Sequence, residues 1–205
     1  IYTGSNPVGV ENSTPKPVVQ LNGDITDGAT TDLNASNVYE LTGLVKVKNN
    51  STLRIEAGTT IIGNDGAYIV ITKGSKIIAD GTEASPIVFT SKTAFDGGAA
   101  DIGQWGGLTV LGQATTNYTA AAFYEVDETD ADFAFGGTTD ADNSGILRHV
   151  KILNSGSVIG TDVEINGLSL CGVGSGTVVE NISVVNSSDD GIEVWGGTVN
   201  MSNLT

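Results

Sequence analysis

The sequence predicts an all-β chain wound as a right-handed parallel β-helix, and three observations carry that expectation. Short apolar runs alternate with period two and are cut within a few residues by Gly, Asn, Ser or Asp. Gly supplies 28 of the 205 residues and only 16% are charged, a composition for strands joined by tight corners. Corresponding positions also repeat by type: Val150, Ile152 and Asn154 recur, at one constant spacing, as Ile182, Val184 and Asn186. A solenoid turn of roughly 20 to 30 residues with insertions accommodates such spacings. A β-sandwich is the alternative, since it also yields regularly spaced short strands. The Asn after each apolar run favours the solenoid, where stacked Asn154 and Asn186 would form a hydrogen-bonded ladder.

Residues 1–20, with Pro7, Pro15 and Pro17, read as an extended or flexible leader of the kind that follows an export signal or lipid anchor. Residues 21–205 read as a single domain, with residues 18–21 and Ile25 as its candidate first strand. LTGLVKVK then gives a strand with Leu44, Val45 and Val47 as inward candidates, closed by Asn49-Asn50. TLRIEAGT sends Leu53 and Ile55 inward and Arg54 and Glu56 outward. TTIIG, AYIVITKG, SKIIADGT and PIVFTS follow, separated by Gly63, Gly66, Gly74 and Gly81. The rhythm breaks over residues 92–144. There GQWGGLTVLGQ supplies one strand, and an Ala-, Asp- and aromatic-rich stretch at about 114–144 reads as a long inserted loop projecting from the body. GILRHVKILNSG resumes the coil. In residues 164–205 the pairs Leu168/Leu170, Ile182/Val184, Ile192/Val194 and Val199/Met201, then Leu204, keep making short strands.

A net charge of −15 excludes nucleic acid as a partner and disfavours polyanions unless a cation bridges them. Cys171 is the only cysteine, so no disulfide forms within the chain, and its apolar neighbours make it a core residue. No apolar run approaches the roughly 20 residues of a transmembrane helix. A start at Ile1 without a signal peptide suggests a processed protein or part of a longer one.

Asp189, Asp190 and Glu193 are the candidates for general acid and base chemistry on a glycosidic bond. The alternative for the two aspartates is a turn closed by side-chain hydrogen bonds before Gly191. Calcium is the candidate cofactor, at Asp130, Asp132, Asp140, Asp142, Asp189 and Asp190, although the spacing is not that of an EF-hand and a solvated acidic loop is the rival. Trp105 and Trp195 each precede a Gly pair, and with Tyr118 and Tyr124 they are candidates to stack on a sugar. Core packing is the other role open to the two tryptophans. His149, the sole histidine, reads as an outward strand residue that cannot build a zinc site alone.

The succession TLRIEAGTTIIG, ITKGSKIIADGTEASPIVFTS, QWGGLTVLGQA, SGILRHVKI, EINGLSLCGVGSGTVVENISV and SSDDGIEVWGGTVN resembles a family of bacterial secreted or lipid-anchored β-helices of the pectin-lyase-like superfamily. The resemblance runs from about residue 41 to 204 and is densest over 164–199. It implies the fold and an extracellular or outer cell-surface location, and it implies no particular reaction. Polygalacturonases of this fold also carry a Gly-His-Gly and an Arg-x-Lys, and neither stands here. The expected function is therefore a non-catalytic structural, adhesive or self-assembling module that associates with itself or with further chain at the solenoid ends. The alternative is a carbohydrate-active or sugar-binding protein, calcium-dependent in one version, with polysaccharide as its partner.

Overall fold

A computed structural model describes residues 15–118, 122–160 and 163–205. The first fourteen residues of the expected leader thus lie outside the described residues. Strand β1 (Val18–Ile25) follows, and β2 (Thr30–Leu33) completes a first coil. Strands β3 (Val38–Val47) and β4 (Thr52–Ile55), then β5 (Thr60–Gly63), β6 (Tyr68–Ile71) and β7 (Lys76–Asp80), make the next two. The fourth runs from β8 (Ile87–Ser91) through a one-turn helix α1 (Lys92–Phe95) to β9 (Leu108–Leu111). A hairpin of β10 (Ala122–Phe123) and β11 (Ala134–Phe135) is inserted before β12 (Gly145–Leu153). A small hairpin of β13 (Val158–Gly160) and β14 (Val163–Glu164) precedes β15 (Leu168–Val173) and β16 (Val178–Val185), and β17 (Ile192–Gly197) and β18 (Asn200–Leu204) finish the winding.

Every strand pairing in the 14-stranded sheet is parallel and joins one coil to the next, as a parallel β-helix requires and a sandwich does not. The pairings form three faces. On the first, β1, β3, β5, β8, β12, β16 and β18 stack; on the second, β1, β3, β6, β9, β15 and β17; on the third, β2, β4, β7, β12, β16 and β18. Period-two alternation points one row of each strand inward, and stacking turns those rows into apolar columns. Val45, Ile69, Leu108, Leu168 and Ile192 form one column, and Ile55, Ala79, Leu147 and Val179 another. Their shared burial builds one continuous interior.

Val150 pairs with Ile182 and Ile152 with Val184, and Asn186 Nδ2 donates to Asn154 Oδ1 at 3.1 Å, 32 residues apart. Leu168 and Leu170 belong to a different face, on Leu108 and Val110. Leu44 corrects the expectation that it lies inside with Val45 and Val47: it points outward and packs against a second apolar cluster.

His149 also differs from its expected place on a regular strand. With φ of 48° it is a left-handed corner, as are Asn181 and Asn203, which follow it in register. Asn203 Nδ2 donates to Asn181 Oδ1 at 3.0 Å, and Asn181 Nδ2 stands 3.5 Å from His149 Nε2. A left-handed residue interrupts the alternation, so Leu147 and Val150 both face inward across it. Asn suits this corner because its short amide tolerates positive φ and reaches its counterpart on the next coil.

Residues 122–135 do not project from the body. They lie against the outer side of the second face, where Ala122, Tyr124, Phe133 and Phe135 pack with Tyr68, Val70, Leu111, Ile165 and Cys171. Burial of these aromatics explains why so acidic a segment folds down rather than remaining solvated. Two lysines fasten it. Lys46 Nζ contacts Asp130 at 3.0 Å and Asp132 at 2.6 Å, and Lys48 Nζ contacts Asp132 at 2.5 Å and Asp24 at 3.3 Å.

Candidate functional site

The outward residues of the second face run in register as Val70, Thr109, Ser169 and Glu193, beside a row of Leu111, Cys171 and Trp195. The inserted hairpin covers the earlier part of both rows: the Tyr124 hydroxyl lies 3.1 Å from Ser169 Oγ. Glu193 and Trp195, one coil further on, emerge at the rim of that cover. There they line an open groove of about 480 Å³ with Val194, Gly196, Gly197 and residues 115–118.

Aromatic rings form one wall. Tyr118 stacks on Trp195 with centroids 6.3 Å apart and planes 11° apart, while Tyr124 and Phe135 meet the indole edge-to-face. Tyr118 is 46% exposed, so its phenol presents a face to solvent. Glu193 is fixed from two sides, because its Oε2 accepts from Asn166 Nδ2 at 2.6 Å and from Trp195 Nε1. Asn166 continues the link through Oδ1, which accepts from the backbone N–H of Asp190 at 3.1 Å. Asn166 was not legible as a site residue, since its two partners lie 24 and 27 positions away and meet it only through stacking.

Glu125 is the other residue that reading the chain misses. Burial pushes its carboxyl above the usual carboxylate range, and the charges of Glu193, Asp189 and Glu164 push the same way. Acids from two other stretches of the chain thus lie within electrostatic reach of Glu125.

Of the acid–base candidates, Glu193 is therefore in the groove wall, while Asp189 and Asp190 stand exposed in the preceding turn. In that turn the Asp190 carbonyl accepts from Ser187 Oγ at 3.1 Å and from the Gly167 N–H at 3.0 Å.

Two stacking candidates are corrected by burial. Trp105 is 0% exposed and sits inside the solenoid, stacked on Phe89 at 6.2 Å, with its Nε1 donating to the Leu153 carbonyl at 2.8 Å. The missing side chain of Gly63 makes its room, since a Cβ there would come within 2.8 Å of the indole. Tyr124 is also 0% exposed, and burial raises its phenol well above the ordinary range, so it offers no face to a sugar. Tyr118 and Trp195 are brought together.

The calcium candidates are dispersed. Asp130 and Asp132 hold Lys46 and Lys48; burial opposes ionisation of Asp132, but the two ammonium groups outweigh it and keep the carboxyl below its usual range. Asp140 Oδ1 accepts from the Thr115 N–H at 3.0 Å, and this bond lowers the carboxyl's pKa. Asp142 is buried and accepts from Ser144 Oγ at 2.9 Å and the Gly174 N–H at 3.3 Å. Among the described residues no three His, Cys, Asp or Glu side chains converge as metal ligands. Cys171 lies in the wall beneath the hairpin, and burial drives its thiol pKa well up, which leaves little thiolate. No helix among the described residues is long and apolar enough to cross a membrane.

Neither the curated proteins nor the solved structures contain a match to this chain. The description that does match is that of a pectate-lyase-like β-helix domain, over residues 23–205, the same span in which the parallel coils stack. By its sequence and by its parallel winding, the chain belongs to the pectate-lyase-like β-helix domain family.

Proposed function

We propose that this chain is a non-catalytic structural module that works outside the cell or on its surface. One observation carries the reading: Arg148, Lys46, Lys48 and Cys171, groups that could act as base or nucleophile, are tied into the fold. Arg148 bridges Asp80 at 2.6 Å and Glu180 at 3.0 Å on neighbouring coils, Lys46 and Lys48 fasten the inserted hairpin, and Cys171 is buried. Self-association is part of the proposal, supported by the outer edges of β17 and β18, which pair on one side only among the described residues and expose Val194, Met201 and Leu204. Incubation with uronic-acid and neutral polysaccharides, with and without calcium, is expected to release neither reducing ends nor unsaturated products. Turnover of any of them would overturn the non-catalytic reading, and a monomer at all concentrations in sedimentation would overturn the self-association.

A second reading, sugar binding without cleavage, is favoured by the solvent-facing Tyr118 stacked on Trp195 beside a fixed Glu193 carboxylate. Flat aromatic faces and placed acceptors are what a saccharide ring with its hydroxyls requires.

A further inference from the structure

The sequence contains two Asn-Gly steps, Asn22-Gly23 and Asn166-Gly167, and the fold treats them in opposite ways. An Asn followed by Gly is open to attack by the main chain on its own side chain, because Gly has no Cβ to block the approach and lets the backbone turn freely. We propose that Asn22-Gly23 is a site of spontaneous covalent modification, at which Asn22 converts to aspartate and isoaspartate, whereas Asn166-Gly167 is held unreactive by its hydrogen bonds. The inference goes beyond the structural and sugar-binding readings and depends on neither.

The reaction needs only water. The Gly23 nitrogen loses its proton and attacks Cγ of Asn22. A new C–N bond closes a cyclic imide, the bond from Cγ to the side-chain nitrogen breaks, and that nitrogen leaves as ammonia. Water then opens the imide at either carbonyl. Opening at Cγ restores the ordinary main chain with an aspartate side chain. Opening at the main-chain carbonyl leaves the chain running through Cγ, as isoaspartate. Either product adds one carboxylate to the outer edge of the first coil, beside Asp24.

Three features of the fold favour this at Asn22. Among the described residues β1 pairs along one side only, with β3. Its register shifts between Leu21 and Gly23, which pair with Leu41 and Val45, so Asn22 has no partner in the ladder. Asn22 and Gly23 are both exposed, and no hydrogen bond among the described residues holds the Asn22 amide. A Cβ built on Gly23 would meet nothing within 4 Å. Freeing this step therefore takes little local unfolding. Asn166 is the reverse case. It is 2% exposed, its Nδ2 donates to Glu193, and its Oδ1 accepts from the Asp190 N–H at 3.1 Å. The Gly167 N–H, whose nitrogen would have to attack, donates to the Asp190 carbonyl at 3.0 Å. All of these bonds must break before a ring can close.

Peptide mapping by mass spectrometry tests this, on the folded full chain stored in warm, mildly alkaline buffer and on the same chain unfolded in urea. In the folded chain the Asn22 peptide is expected to gain the mass difference between an amide and an acid roughly tenfold or more faster than the Asn166 peptide. Chromatography should resolve its product into aspartate and isoaspartate forms. In urea the two peptides should convert at similar rates, because only the fold separates them. Glu193→Ala, which removes one bond from Asn166, should speed conversion there and leave the Asn22 rate unchanged. Asn22→Ser should abolish conversion at the first site and leave the rest of the map as it was. An Asn22 that keeps its amide in the folded chain while it converts in urea would show that the first coil shields it, and would overturn the inference. Equal rates at the two sites in the folded chain would overturn it too, since the hydrogen bonds around Asn166 would then protect nothing.

Discussion

Asn154 carries two structural tasks at one position. Its φ is 61°, a region that costs most residues roughly 1 kcal/mol or more, and its buried amide joins Thr90 Oγ1 at 3.3 Å and Asn186 at 3.1 Å. Asn154→Ala is therefore expected to cost about 2 kcal/mol, from a lost hydrogen bond of about 1 kcal/mol together with backbone strain. Asn154→Gly should recover the strain part only. Denaturant titration of both variants checks the order, and equal losses would show that the backbone conformation contributes nothing. The neighbouring column of His149, Asn181 and Asn203 was legible too, as the repeated corner in LRHV, VENI and MSNL. It is easily passed over because the first member is a histidine. Gly107 illustrates the opposite case, a residue whose role no pattern announces: a Cβ there would meet the Asn166 carbonyl oxygen at 2.0 Å.

At the scale of elements, the inserted hairpin acts as a strap over the second face, held by Lys46 and Lys48 and by its aromatics. Burial disfavours the charge on Lys46, but the hydrogen bonds it donates to Asp132 and Asp130 more than compensate and raise its pKa. The Asp132 carboxyl moves the other way, to below the ordinary 3.8. A depressed carboxyl stabilises the fold above its unfolded pKa, and that contribution disappears as pH falls through the folded value. The lysine part is intact at every pH below about 10 and drops out of the acid comparison. Amide protection across residues 122–135, relative to the intrinsic exchange rate at each pH, should therefore fall as pH drops below about 4, ahead of the solenoid interior. Lys46→Met should flatten that dependence. Uniform loss of protection across the chain would show that the strap is no separate unit.

For the whole molecule, stability comes from coils stacked about 4.8 Å apart, each burying its apolar row against the next. Asp130, Asp132, Asp140 and Asp142, four of the six acids proposed for calcium, meet ammonium groups, hydroxyls and backbone N–H groups instead, so chelator is expected to leave the melting temperature unchanged. A fall of several degrees, restored by calcium alone, would show that a cation holds these segments.

The sequence by itself determined the winding, because inward alternation, left-handed Asn corners and the spacing between equivalent residues are local or nearly periodic. Val150 over Ile182 and Asn154 over Asn186 could be aligned before any coordinates existed, and they stack as aligned. Where period fails, only the tertiary structure decided. The burial of Trp105 depends on Gly63 from an earlier coil and on Phe89, and the descent of the hairpin depends on Lys46 and Lys48 far back in the chain. Likewise Glu125, Asn166, Glu193 and Tyr118 come from separate coils and insertions, with no common spacing to mark them. Their meeting is set by the path of the insertions over the second face, a balance of aromatic burial and ion pairing that no repeat encodes.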